Sequence, residues 1–137
     1  MKIKRLYLNL PVLNIQKTRE FWSHLGFDIN EKYSDEKALC IVLKDDTIFA
    51  MLVAHEYFST FTNRPIADGS TTQVLIAIEV ESKEQVQEVV KKALEMGANC
   101  YLDPINEGWM YYERFVDIDG HQWEVCYMDE SFMLPVE

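Results

Sequence analysis

The order of hydrophobic and polar positions repeats once along the chain. In the first half, the strand-forming run IKRLYLNLPV precedes a segment whose apolar residues recur every three or four positions, as on one face of a helix. Asn14 is a suitable cap for the start of this helix, and Gly26 for its end. Three runs of strand formers follow, FDINEKY, ALCIVLK and TIFAMLV. The pattern predicts one strand, one helix and three further strands.

The second half shows the same order of elements. The run TQVLIAIEVE predicts a strand, and Ser82 with Gln85 three residues later has the spacing of a helix-capping box. Gly97 closes this second helix as Gly26 closes the first. Three strands are then predicted from NCYLD, GWMYYERFV and HQWEVCYM. A long repeat with two copies indicates a pair of similar modules rather than a solenoid.

The length of the chain suits one domain built from these two modules. A chain of 137 residues with five glycines and four prolines supplies one full hydrophobic core. We expect a single domain over residues 1–137, with module one at 1–55, a polar connector at 56–70, module two at 71–130 and a short tail at 131–137.

Charge and cysteine content narrow the classes of partner. The net charge of −10 is spread along the chain, which argues against nucleic acid and anionic membranes and is compatible with a cationic ligand. Cys40, Cys100 and Cys126 are odd in number, lack CxxC spacing and lie in apolar runs. They predict buried thiols in a reducing compartment, hence a cytoplasmic protein. No run approaches the ~20 apolar residues that cross a bilayer.

Two stretches resemble the signatures of a known family. These are NLPVLNIQKTREFWSHLGF near the start and FVDIDGHQWEVCYMDE near the end. They are similar to the vicinal oxygen chelate superfamily, which includes glyoxalase I, bleomycin-resistance proteins, fosfomycin-resistance enzymes and extradiol dioxygenases. The nearest resemblance is to small bacterial proteins described as predicted lactoylglutathione lyases. It implies an α+β fold in which two βαβββ modules form an eight-stranded cup, commonly in a homodimer, around a small ligand.

The resemblance also implies four metal-ligand positions, of which this sequence retains one. Matching the signatures places Glu124 at the ligand position of the last strand, and places Tyr7, Ala50 and Leu75 at the other three. Alanine and leucine have no lone pair to offer, and a protonated tyrosine is a poor ligand for the divalent ions concerned. A shift in register would bring in only the amide side chains of Asn9 and Gln73, without a histidine. We therefore expect no metal site and no cofactor, although a divalent metal stays the alternative.

Glu124 then has two interpretations. It pairs with Arg114 on the preceding strand of the hairpin, because a buried carboxylate needs a partner. Alternatively, it lies at the bottom of a cup as a catalytic residue, with affinity for protons or for a cationic group of a ligand. The register of the turn between the two strands decides which interpretation holds.

The aromatic run before that turn offers a candidate ligand surface. Trp109 and Tyr111 share one face of the predicted strand, while Arg114 lies on the other, and one of these faces should line the cup. In the competing interpretation, these aromatic side chains pack together and fill the space that a ligand would occupy. We predict Tyr7, Asn9, Trp109, Tyr111 and Arg114 as ligand-binding residues, with Glu124 catalytic.

The resulting functional hypothesis is a glyoxalase/bleomycin-resistance-type protein that binds an aromatic or cationic small molecule without the usual metal. We expect it to be a homodimer, because the open edges of such modules need a partner. The alternative is a metal-dependent lyase, similar to lactoylglutathione lyase, or a dioxygenase.

Overall fold

The structure is a computed structural model that describes residues 1–132. The chain divides into two units, with the boundary between Thr71 and Thr72. Residues 133–137, the larger part of the predicted tail, lie outside the described residues. No helix within residues 1–132 is long and apolar enough to cross a membrane. The two units are described one at a time.

The first unit contains a four-stranded sheet and one long helix. In chain order its elements are β1 (Leu6–Val12), α1 (Ile15–Leu25), β2 (Asp28–Ile29), β3 (Ala38–Lys44), β4 (Ile48–Ala54) and the short α2 (His55–Phe58). The strand order in the sheet is β1-β4-β3-β2. Strands β1 and β4 are parallel, and the other neighbours are antiparallel.

Helix α1 forms where the sequence predicts it. The side chain of Asn14 accepts a hydrogen bond from the Lys17 backbone N–H at 2.9 Å, which satisfies one of the free amides of the first turn. Gly26 ends the helix at φ 95°, a left-handed conformation that glycine adopts without strain. The buried side chains of α1 are Thr18, Phe21, Trp22 and Leu25. They form the apolar face that packs on β3 and β4.

The second unit repeats this arrangement. Its elements are β5 (Ile76–Glu79), α3 (Lys83–Glu95), β6 (Ile105–Asn106), β7 (Met110–Val116) and β8 (Gln122–Met128). The strand order is β5-β8-β7-β6, with β5 and β8 parallel. Both units therefore have the order strand, helix and three strands, which confirms the predicted α+β fold class of two βαβββ modules with eight strands.

Each sheet has one face covered by its helix and one open face. In the first unit the side chains that alternate toward α1 are buried, as for Leu39, Ile41, Ala50 and Leu52. In the second unit the corresponding buried set beneath α3 contains Phe115, Trp123 and Val125. The two helix-covered faces form the hydrophobic cores, and the open faces carry the polar and aromatic side chains considered below.

Three local predictions are wrong. The run FDINEKY forms a strand only at Asp28–Ile29, because the Asn30 side chain accepts from the Lys32 N–H and starts a 3₁₀ turn at Glu31–Tyr33. The run NCYLD forms no strand, and the short strand of that region is β6. Cys100 is exposed, whereas Cys40 and Cys126 are buried as predicted.

Candidate functional site

The open face of the first sheet contains a cavity of about 640 Å³. Its lining comes from β1, β3, β4, the β3–β4 turn and the 3₁₀ turn. The lining residues are Arg5, Tyr7, Asn9, Asn30, Tyr33, Cys40, Asp46, Phe49 and Met51. This volume lies within the range that holds drug-sized ligands in proteins. The predicted ligand-binding residues Tyr7 and Asn9 are both part of the lining.

Parallel pairing of β1 and β4 places the rings of Tyr7 and Phe49 side by side in this cavity, and this stacked pair is called the aromatic ledge. Tyr7 is the register partner of Phe49, and their rings stack with centroids 5.4 Å apart and an angle of 16° between planes. Phe49 is 8% exposed, but Tyr7 is 53% exposed. Tyr7 therefore covers Phe49 and presents the ledge to the cavity. Offset stacked rings of this kind favour a further planar ring on the free surface.

The same pairing corrects one of the predicted positions. Asn9 and Ala77 each lie five residues before the helix cap of their module, so they are equivalent. Asn9 pairs with Met51, and Ala77 pairs with Glu124. The counterpart of Glu124 is therefore Met51, and the prediction of Ala50 is wrong by one residue. Ala50 is fully buried on the α1 side of its sheet.

Polar groups lie around the aromatic ledge. Arg5 and Asp46 supply one charge of each sign, and Asn9 and Asn30 supply amides. The Asn30 side-chain oxygen Oδ1 accepts from the Lys32 N–H. Burial raises the pKa of the Cys40 thiol above its ordinary value. Cys40 therefore contributes a neutral, weakly polar group rather than a thiolate nucleophile.

The predicted pairing of Glu124 with Arg114 is present in the second unit. Arg114 and Glu124 are register partners in the β7–β8 hairpin. Arg114 Nε and Glu124 Oε2 are 3.6 Å apart, with side chains 13% and 21% exposed. This distance is within ion-pair range but too long for a hydrogen bond. A catalytic role for Glu124 stays a prediction.

Tyr111 lies on the other side of the β7 strand from this pair. Tyr111 is three positions from Arg114, so its side chain points to the opposite face. There the Lys83 ammonium of α3 lies 4.8 Å from the Tyr111 ring centroid, and the Tyr111 hydroxyl donates to Glu113 at 2.7 Å. Trp109 lies in the bend before β7, and its role in binding a ligand stays a prediction. The prediction that Tyr111 shares one ligand surface with Glu124 is not supported by this register.

Three further groups of the second open face have shifted pKa values. Burial, followed by the charge of Glu124, raises the pKa of Tyr101, and Arg114 opposes the shift. Burial raises the pKa of Tyr112 and also that of Cys126. Both phenols and the thiol therefore stay protonated near neutral pH. As hydroxyl groups, the phenols can donate hydrogen bonds.

The residues that the sequence analysis missed fall into two kinds. Phe49 and Met51 follow from β-strand alternation once the β1–β4 register is known, but the run IFAMLV is apolar on both faces and gives no alternating signal. Tyr101 lies in the loop between α3 and β6, where the sequence contains no periodic pattern. Within residues 1–132, no three His, Cys, Asp or Glu side chains are grouped so as to hold a metal ion.

Comparison with known proteins gives a family and a fold. The model of the Glyoxalase/Bleomycin resistance protein/Dioxygenase superfamily matches residues 4–125. No curated protein matches significantly. A solved hypothetical protein of S. aureus is 24% identical, with 93% of this chain and 95% of that chain covered and a TM-score of 0.78. A glyoxalase-related enzyme of Fulvimarina pelagi is 10% identical, with 91% and 88% covered and a TM-score of 0.75. Identities this low establish a shared fold only.

Proposed function

The chain belongs to the glyoxalase/bleomycin resistance protein/dioxygenase superfamily, and within it we propose a protein that binds a planar aromatic small molecule without the metal of its enzymatic relatives. The observation that carries this proposal is the cavity of about 640 Å³ on the open face of the first sheet, with its Tyr7–Phe49 ledge. Apolar surface with a few polar groups is the usual composition of an organic-ligand site.

The donor chemistry of the chain does not fit the metal that the family resemblance implies. With the register corrected, the four implied positions hold Tyr7, Met51, Leu75 and Glu124. A thioether and an alkyl group are unsuitable ligands for a hard or borderline divalent ion, and a neutral phenol is weak. The one carboxylate is paired with Arg114. This set favours a function that needs no metal.

The lining indicates the class of ligand. Tyr7, Phe49 and Tyr33 provide ring surface, and Met51 provides a polarisable contact of the kind that adapts to aromatic ligands. The amides of Asn9 and Asn30 can position a polar substituent. Arg5 and Asp46 balance each other in formal charge, so the cavity itself does not require a charged ligand. The net charge of −10 adds a general preference for cationic over anionic aromatics.

Homodimer formation, cytoplasmic location and the metal-dependent alternatives stay predictions. The alternative activities are those of a lyase similar to lactoylglutathione lyase or of a dioxygenase. Either would require metal binding, and the titration described in the Discussion separates them from the proposed function.

The test is binding of a defined aromatic probe followed by backbone amide NMR. Quinoline should shift the amide signals of β1, β4 and the Glu31–Tyr33 turn saturably. Tyr7→Ala should weaken binding roughly three- to tenfold, because it removes one stacking partner. Tyr7→Phe keeps the ring and should bind as the wild type does. Tyr57→Ala, a ring deletion outside the cavity lining, is the matched control and should also leave binding unchanged.

Two outcomes would overturn the proposal. One is the absence of any saturable shift in these elements. The other is equal weakening by Tyr7→Ala and Tyr57→Ala, which would indicate a general loss of stability rather than loss of a stacking surface. Cyclohexylammonium serves as a non-aromatic cation, and tighter binding of this probe than of quinoline would assign recognition to charge.

A further inference from the structure

The dipeptide aspartate-glycine occurs at two places in the chain, in different surroundings. Asp68–Gly69 lies in the predicted connector, and Asp119–Gly120 lies in the turn between β7 and β8. In such a dipeptide the glycine nitrogen can attack the carboxyl carbon of the aspartate, because glycine has no side chain to hinder the approach. Whether this reaction takes place depends on the exposure of the carboxyl group and on the hydrogen bonding of the nitrogen.

The carboxyl group of Asp68 is exposed and folded back along the chain. Asp68 Oδ1 accepts from the Ser70 N–H at 2.9 Å and from the Ser70 hydroxyl at 2.6 Å. The bond to the Ser70 amide closes a ring of the Asx-turn type, which contains both the Asp68 carboxyl carbon and the Gly69 nitrogen. The two reacting atoms are therefore held in one closed ring, which favours their encounter.

The Gly69 nitrogen is available as the nucleophile. The Gly69 N–H donates to no atom of the chain within residues 1–132. Apart from its chain neighbours, no atom lies within 4 Å of the position that a side chain would take at Gly69. Residues 62–75 form neither helix nor strand, so this peptide can adjust without breaking a helical or ladder hydrogen bond.

The second dipeptide is held by the turn that contains it. The Gly120 N–H donates to the Asp117 carbonyl oxygen at 3.1 Å, and the Asp119 N–H donates to the Asp117 carboxylate at 2.9 Å. The nitrogen that would attack is thus already engaged, and the turn must open before it can react.

We propose that Asp68–Gly69 is a modification site at which aspartate isomerises spontaneously to isoaspartate, while the fold protects the other dipeptide. The Gly69 nitrogen loses its proton and bonds to Asp68 Cγ, and one carboxyl oxygen leaves as water. Addition of water to the resulting succinimide then breaks one of its two carbonyl–nitrogen bonds. Breakage at the main-chain carbonyl gives isoaspartate, and breakage at Cγ restores aspartate. Water is the only co-reactant.

This chemistry determines how the rate depends on pH. The oxygen leaves as water only from the protonated carboxyl group. Hydrogen bonds from the Ser70 hydroxyl and then from the Ser70 amide lower the pKa of Asp68, and no charged side chain within residues 1–132 contributes to the shift. The carboxylate predominates near neutral pH, so isomerisation should slow as pH rises from about 5 to about 8.

The experiment incubates the full chain at about pH 5 and about pH 8, in native buffer and in urea. Peptide mapping with electron-transfer fragmentation then distinguishes isoaspartate from aspartate at each dipeptide. In native buffer, isoaspartate should accumulate at Asp68 and at least about tenfold more slowly at Asp119, because the turn must first open. In urea, the two dipeptides should react at similar rates.

Two variants test the assigned atoms. Asp68→Glu keeps the negative charge but would have to form a six-membered imide ring, so the reaction at this position should be lost. Gly69→Ala places a methyl group beside the attacking nitrogen and should slow the reaction. In both variants the rate at Asp119 in urea should equal that of the wild type, which makes Asp119 the internal control.

Several results would overturn the proposal. Native protein without isoaspartate at Asp68 at either pH would show that the exposed dipeptide is not reactive. Equal rates at Asp68 and Asp119 in native buffer would remove the protection assigned to the turn. Faster reaction at the higher pH would contradict the assigned leaving group. The aromatic cavity has no lining residue within 62–75, so each of these results leaves the quinoline test unaffected.

Discussion

Asp117 is a carboxyl group that the turn after β7 has buried almost completely. It is 7% exposed and accepts from the backbone N–H groups of Asp119 and His121 and from the Trp123 indole at 2.9, 3.0 and 2.9 Å. Burial is the largest influence and raises the pKa of Asp117, while the charge of His121 and these donors oppose it. The residue thus fixes the turn that sets the β7–β8 register.

The raised pKa predicts how Asp117 affects stability with pH. Because its pKa is higher in the folded state than in the unfolded state, Asp117 contributes fully to the free energy of unfolding below the unfolded-state pKa. This contribution is lost as the pH rises through the folded-state pKa. Relative to Asp117→Asn, which does not titrate, the free energy of unfolding of the wild type should fall as pH rises from about 4. Urea unfolding of both proteins over a pH series measures this difference.

Asp68→Asn is the control for that series. Asp68 also accepts from nearby groups, the Ser70 amide and hydroxyl, but it is exposed. Its pKa is lowered rather than raised, so its pH dependence should have the opposite sign. A wild-type to Asp117→Asn difference that grows with pH would contradict the assigned direction.

At the scale of elements, the two long helices, α1 and α3, each begin with a side-chain cap, and the cap of α3 involves two side chains. Ser82 Oγ accepts from the Gln85 N–H at 3.1 Å. Gln85 Oε1 in turn accepts from the Glu81 N–H at 2.9 Å. In the usual capping box this side chain accepts from the amide of the cap residue itself, which here would be Ser82. The side chains of residues 81–85 therefore satisfy two backbone amides at the start of α3.

The cap makes the stability of α3 sensitive to one oxygen atom. Ser82→Ala should lower the free energy of unfolding by about 1 kcal/mol, because the Gln85 amide loses its acceptor. Ser82→Asp restores an acceptor and adds a negative charge at the helix N-terminus, so it should recover the wild-type value or exceed it. Urea unfolding of the three proteins checks this, and a Ser82→Asp variant as unstable as Ser82→Ala would refute the capping role.

At the scale of the whole molecule, two modules with the same strand order carry different chemistry. Position by position, Asn9 and Met51 of the first open face correspond to Ala77 and Glu124 of the second. The first sheet has an aromatic cavity, and the second has an ion pair with two unpaired donors. The two modules therefore share a fold, but their open faces do not carry the same set of candidate ligand residues.

This divergence predicts that the whole protein does not respond specifically to divalent ions. Thermal unfolding of the wild type with nickel, zinc, manganese or iron(II) should show no saturable rise in Tm, because a ligand stabilises only the state that binds it. Glu124→Ala is the matched variant and should behave in the same way toward the ions, whatever its own Tm. A saturable rise in the wild type that Glu124→Ala abolishes would establish a metal site and favour the lyase or dioxygenase alternative.

Much of the fold is contained in local sequence patterns. Asn14, Gly26 and Ser82 mark helix ends through hydrogen bonds and backbone conformations that involve only neighbouring residues. The long strands β3, β4, β7 and β8 follow from dense runs of strand formers. The failures are short segments, FDINEKY and NCYLD, where a side-chain hydrogen bond or the course of a loop outweighs strand propensity.

The sequence by itself determined the two βαβββ modules, and it offered the pairing of Glu124 with Arg114 as one of two interpretations. The absence of a metal site stays a prediction. Only the tertiary structure decided which face each strand residue occupies. Side chains alternate with a period of two, so an error of one residue in register moves a residue to the opposite face, as it did for Ala50 and Met51.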